Sequence, residues 1–92
     1  MHELTVVNNL LKFLQNFLKD KNIEKVIKIN LRINPLSCLD EENLNFVFRS
    51  LAKENNLLKD AKISVKRGED PLSREVIIEN IEVEVRDGDQ KD

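Results

Sequence analysis

The 92-residue chain is 35% charged and 40% hydrophobic, with only 2 glycines and 2 prolines, a composition that makes one small folded domain without low-complexity stretches. Its net charge is −2 with the signs interspersed, and 4 phenylalanines are its only aromatic residues; without a basic stripe, aromatic platform or glycine-rich phosphate loop, binding of nucleic acids or nucleotides is not expected. No apolar run nears the roughly 20 residues of a membrane span, nothing resembles a secretory leader, and one cysteine forbids an internal disulfide, so a reducing cytoplasm is the expected setting.

Leu4, Val7, Leu10, Leu11, Leu14, Phe17 and Leu18 recur at spacings of three and four, which predicts an amphipathic helix near residues 5–20. Thr5 is the expected N-cap, and Lys19-Asp20-Lys21-Asn22 closes the helix with lysines suited to its negative end. Ile27, Ile29, Leu31 and Ile33 then alternate with Lys28, Asn30 and Arg32, which predicts a strand near 25–34 with one face buried and the other open to water or a partner. Asn34-Pro35 stops that strand. Asp40 caps a second helix near 40–55, with Glu41 and Glu42 at its positive start and Leu44, Val47, Phe48 and Leu51 as its buried stripe. Phe46 lies off the stripe and is expected to be partly buried at the helix flank.

Ala61, Ile63 and Val65 alternate with Lys62, Ser64 and Lys66 in a strand near 61–67. The last strand, near 75–85, breaks phase: Val76 and Ile78 share one parity, Ile81, Val83 and Val85 the other. One extra residue near Glu79-Asn80, a β-bulge, would bring all five to one face without burying Glu79. The tail at residues 87–92 is expected to be disordered. These elements predict an α+β fold: a two-layer sandwich with both helices on one face of a small mixed three-stranded sheet. The strands flanking the second helix would run parallel. The last two strands would form an antiparallel hairpin with residues 68–73 as its loop.

An enzyme is not expected. Catalysis needs a base beside a nucleophile or a metal, yet the only histidine is His2, and Ser37, Ser50, Ser64 and Ser73 have no partner pattern. Cys38 reads as a partly buried small side chain, and Glu79, Glu82, Glu84 and Asp87 as solvent-facing strand residues. Met1-His2-Glu3 is the chemically distinctive stretch. The α-amine of Met1 with the backbone and imidazole nitrogens of His2 can close two fused chelate rings on one metal. The backbone or carboxylate of Glu3, or an outside ligand, can fill a fourth position. Square-planar or tetragonal N/O coordination suits Ni(II) and Cu(II).

The order of motifs extends this reading. Met1-His2-Glu3-Leu4 opens the first helix, Ile29-Asn30-Leu31-Arg32-Ile33 forms a strand, and Leu36-Ser37-Cys38-Leu39-Asp40 turns into the helix containing Phe46-Val47-Phe48-Arg49-Ser50-Leu51. Arg74-Glu75-Val76-Ile77-Ile78 leads the closing strand. In this order the chain resembles the hydrogenase/urease nickel-incorporation metallochaperones, the HypA-type family. The resemblance implies a metallochaperone that carries Ni(II) as transient cargo on Met1, His2 and Glu3. It also implies a nickel-handling GTPase and the hydrogenase large subunit as partners.

One departure is large. The family carries a zinc domain with two Cys-x-x-Cys pairs between its third and last strands, whereas here Arg67 is followed only by Gly68-Glu69-Asp70-Pro71-Leu72-Ser73. Structural zinc takes four ligands, more than Cys38 and His2 supply, so no zinc is expected. The chain is then a single nickel-binding domain over residues 1–92, either a zinc-free relative or one from which the zinc domain has been removed. A second reading stands beside it: a metal-independent protein-interaction or scaffold module derived from the same family. Self-association through a sheet edge is left open.

Overall fold

Strand β1 (Ile23–Ile33) is the element on which the others assemble. Strand β2 (Lys62–Arg67) pairs with it in parallel and β3 (Val76–Val85) antiparallel, giving the order β2-β1-β3. The computed structural model describes residues 2–86. Within them, helices α1 (Glu3–Leu18) and α2 (Glu41–Ala52) pack on one face of this mixed sheet, the expected α+β sandwich. The expected tail disorder concerns residues outside those described.

The alternation of β1 does what its sequence dictates over its second half. Ile29, Leu31 and Ile33 are buried, while Lys28, Asn30 and Arg32 line the opposite face. The first half departs from it. The pairing register with β3 slips between Val26 and Lys28, so Val26 is fully buried and Ile27, expected inside, is 45% exposed. A second slip lies on β3 itself. Asn30 pairs with Asn80 and Leu31 with Ile78, leaving Glu79 as the extra residue. The bulge therefore falls where the broken phase requires one, and Val76, Ile78, Ile81 and Val83 all pack against the core. Val85 runs past the core's edge and is exposed.

The expected β2–β3 hairpin is not formed. Residues 68–75 carry the chain past the end of β1, and β3 pairs with β1 instead. The crossing is pinned by backbone bonds from Gly68 N–H to Ile33 O (2.8 Å) and from Asn34 N–H to Glu75 O (2.9 Å). Asn34, the buried polar residue of the core region, uses its side-chain amide to hold Pro71 O (3.0 Å) and Ser73 O (2.9 Å). The residue read as a strand terminator is thus also the anchor of the crossing loop.

Helix α1 starts at Glu3 with His2 as N-cap, not at Thr5, which is an exposed residue inside the first turn. The earlier start places Val6 and Val7 in the buried arc with Leu10, Leu14 and Leu18, and turns Leu4 out to solvent. Phe13 and Phe17 are partly exposed and stack on each other with ring centroids 5.6 Å apart. Lys21 lies 4.5 Å over the Phe17 ring rather than at the helix end, and Asp20 makes the turn with φ 65°.

Helix α2 is capped as expected: the Asp40 carboxylate accepts from Asn43 N–H at 3.0 Å. Leu44, Phe48 and Ala52 form its buried line at four-residue spacing. Leu51 faces solvent, and Phe46 is 64% exposed rather than partly covered. The helix stops at Ala52 because Asn55 N–H turns back to Ala52 O (2.9 Å). The following turns bring Leu58, which no periodicity marks, fully into the core.

Phe48 and Leu44 join Ile29, Leu31 and Ile63 in one continuous cluster. Replacing Phe48 by Ala is expected to destabilise the fold by about 3–5 kcal/mol in urea melts, the range for a buried aromatic. A loss under about 1 kcal/mol would contradict its place in the core.

Candidate metal centre

Of the candidate metal ligands, His2 and Glu3 stand at the start of α1, and the helix start determines what they offer. His2 has extended backbone angles (φ −86°, ψ 150°), an exposed side chain, and no capping hydrogen bond from its imidazole. Its carbonyl accepts the first intrahelical bond, from Val6 N–H at 3.1 Å. The amides of His2 and Glu3 precede that first donor. They belong to the helix end whose N–H groups have no partner along the helix. Glu3 is half-buried in the first turn, where a carboxylate opposes the positive end of the helix dipole. Met1 lies outside the described residues; His2 and Glu3 are the N-cap and first residue of α1.

Other candidates resolve into structural roles. Glu79 pairs with Arg32 at 2.7 Å, Glu84 with Lys25 at 3.9 Å, and Glu82 accepts from the Asn30 side chain at 3.0 Å. They form a cross-strand polar ladder with β1 rather than a cation cage. Asp87, grouped with them in the sequence, lies outside the described residues. Cys38 is exposed, not partly buried. The loop carrying it is braced from beneath: Arg67 donates to Ser37 O (3.0 Å) and Leu39 O (3.3 Å), and the Ser37 hydroxyl donates to Glu75 Oε2 (2.9 Å). Among the described residues no group of 3 or more His, Cys, Asp or Glu side chains could hold a metal ion.

One feature went unread in the sequence. One helical turn beyond His2, Val6 opens a groove of about 360 Å³ between α1 and β3, with Leu10, Phe13, Leu31, Val76 and Ile78 on its walls. Its helix side is spelled by Val6, Leu10 and Phe13 at spacings of four and three. The signal was present, but it ran beside the stronger stripe through Val7, Leu14 and Leu18.

A family model for hydrogenase/urease nickel incorporation, metallochaperone, hypA, matches residues 1–73. The chain belongs to the HypA family. The hydrogenase maturation factor HypA of Methanococcus aeolicus is 37% identical over 70 residues, covering 72% of this chain and 56% of that protein. The HypA of Moorella thermoacetica is 36% identical over 66 residues, covering 72% and 58%. The chain thus spans little more than half the length of these curated relatives. The solution structure of the Ni metallochaperone HypA from Helicobacter pylori superposes with a TM-score of 0.74 at 17% identity, over 94% of this chain and 100% of that one, and shares the fold. HypA is a family of metallochaperones, not enzymes, in keeping with the absence of a catalytic pattern in the sequence. No helix among the described residues is long and apolar enough to cross a membrane.

Proposed function

We propose that this chain binds one Ni(II) at its N-terminus and delivers it to a nickel enzyme such as a hydrogenase, in the cytoplasm. The observation that carries the reading is the placement of His2. In a HypA-family chain it is an exposed N-cap whose imidazole is not used for capping and whose amide precedes the helix ladder. The Met1 amine, the His2 amide and imidazole nitrogens, and Glu3 or an outside ligand would complete a square-planar set.

The positive end of a helix opposes a bare cation. A ligating amide binds as its anion, however, and Glu3 adds a carboxylate in the first turn. Both offset the metal's charge, and ligation there breaks no intrahelical hydrogen bond. An exposed set of few ligands also exchanges its metal more readily than a closed cage, which is what delivery needs.

Titration of untagged protein is expected to show one Ni(II) per chain with a square-planar d–d absorption band. Binding expels protons from the amine, the imidazole and any ligating amide, so affinity falls as pH is lowered. His2→Ala removes the only imidazole and is expected to abolish the band and weaken binding at least about tenfold, roughly 1.4 kcal/mol. Glu3→Gln should weaken it less. Identical weak titrations of wild type and His2→Ala would end the nickel reading and leave a metal-independent interaction module in its place.

The short crossing at residues 68–75, pinned to Asn34, and the lone Cys38 support a fold that needs no zinc. Elemental analysis of the chain purified without added metal should find no stoichiometric zinc, and chelator treatment should leave its circular dichroism unchanged. One zinc per chain, lost only on unfolding, would contradict this.

Family membership supports a nickel-handling GTPase and the hydrogenase large subunit as partners. The proposed contact is the N-terminal site with the flank of α1. Deleting residues 1–4 should weaken pull-down of either partner; undiminished capture would move the contact elsewhere.

A further inference from the structure

The sheet has two outer edges, and the chain treats them differently. On β2, side chains of α2 occupy the backbone. The Asn45 amide donates to Ile63 O at 2.8 Å, Ile63 N–H donates to Asn45 Oδ1 at 2.8 Å, and Val65 N–H donates to Glu41 Oε1 at 3.1 Å. Asn45 here stands in for a neighbouring strand. On the outer edge of β3, among the described residues, no group hydrogen-bonds to the backbone in this way. An uncovered edge is a template for another strand, and natural sheets that avoid partners cover or blunt it.

Two more properties of β3 say what would fit there. Its inner face presents Val76 and Ile78 to the mainly apolar groove shared with Val6, Leu10 and Phe13, which Asn9, Arg74 and Glu75 also line. Its outer face carries Glu79, Glu82 and Glu84 and no basic residue. The strand already paired with it shows the matching chemistry: β1 sets Arg32 against Glu79, Lys28 opposite Glu82 and Lys25 against Glu84. Glu82 and Glu84 stay exposed beside those contacts, so their carboxylates keep acceptor sites for a strand added at the open edge.

We propose that the free edge of β3 docks an extended segment of a partner protein in which apolar residues alternate with lysine or arginine. The segment adds a fourth strand by main-chain bonds. Its apolar side chains continue the inner face over the α1–β3 groove, and its basic side chains meet the glutamate row. A second copy of this chain is a poor occupant. β3 against β3 would set glutamates beside glutamates on one face. The proposal stands apart from the nickel reading, since none of its residues is a proposed ligand.

The test uses the whole chain and two synthetic peptides of about ten residues, one alternating valine with lysine and the other valine with glutamate. Affinity is read by anisotropy and location by amide NMR shifts. The lysine peptide should bind saturably and at least about tenfold tighter than the glutamate peptide. Shifts should fall on β3 and the groove side of α1 and spare β2. The double variant Glu82→Gln, Glu84→Gln, first shown to melt cooperatively, should lose most of that preference. Equal binding of both peptides, binding of neither, shifts centred on β2, or an unchanged preference in the double variant would each overturn the proposal. So would a concentration-dependent dimer in sedimentation whose interface shifts map to β3, because the edge would then belong to a second copy.

Discussion

The double pairing of β1 is the constraint on which the rest of the molecule depends. Among the described residues it is the one strand with a neighbour on each side, parallel to β2 and antiparallel to β3. Its buried row of Ile29, Leu31 and Ile33 is the surface both helices must cover. A parallel neighbour demands a long crossover, which α2 supplies. An antiparallel neighbour on the opposite side demands that the chain then pass the end of β1, which residues 68–75 do under the hold of Asn34. Remove the second pairing and the helices cover a two-stranded ribbon too narrow for the core cluster.

That arrangement fixes α1 as well. Val6, Val7, Leu10, Leu14 and Leu18 bury the helix in the shared core along its length. The proposed ligands His2 and Glu3 therefore do not hang on a free arm. They begin where Val6 closes the first turn onto His2. A site carried at the end of a packed helix is presented in a definite direction, and preorganisation of this kind is what short ligand sets require.

Much of this was legible in the sequence because it follows from periodicity. The alternation of β1, the cap at Asp40, and the phase break that demands a bulge at Glu79 are local facts. What was not legible depends on partners distant in the chain. The β2–β3 hairpin looked natural from a short loop, yet β1 offers β3 a more apolar neighbour, with basic residues set against its glutamates. Ile27 faces out because a slip in β1 changes the phase behind it. Leu51 and Phe46 are apolar but lie off the arc that α1 and the sheet can cover. The ligand set was read from residue type and position, and the structure adds that His2 is the cap. Thr5 was the better cap by side-chain chemistry, but burial of Val6 and Val7 outweighs a single capping bond of about 1 kcal/mol.

Capping chemistry also bears on how a metal would leave. A serine or aspartate at the N-cap would commit its side chain to the first-turn amides, as Asp40 does on α2. His2 makes no such commitment, so α1 gives up part of the stabilisation a capped helix has. In the proposed nickel complex, that sacrifice leaves the imidazole free, while the His2 and Glu3 amides lie outside the helix ladder in any case. Their affinity for the metal depends on staying deprotonated. Protons, or a partner presenting stronger ligands, can then take the metal without unfolding α1, because no core contact of Val6, Leu10 or Leu14 is tied to its presence. The fold thus contributes placement rather than enclosure, and release need not compete with the stability of the domain.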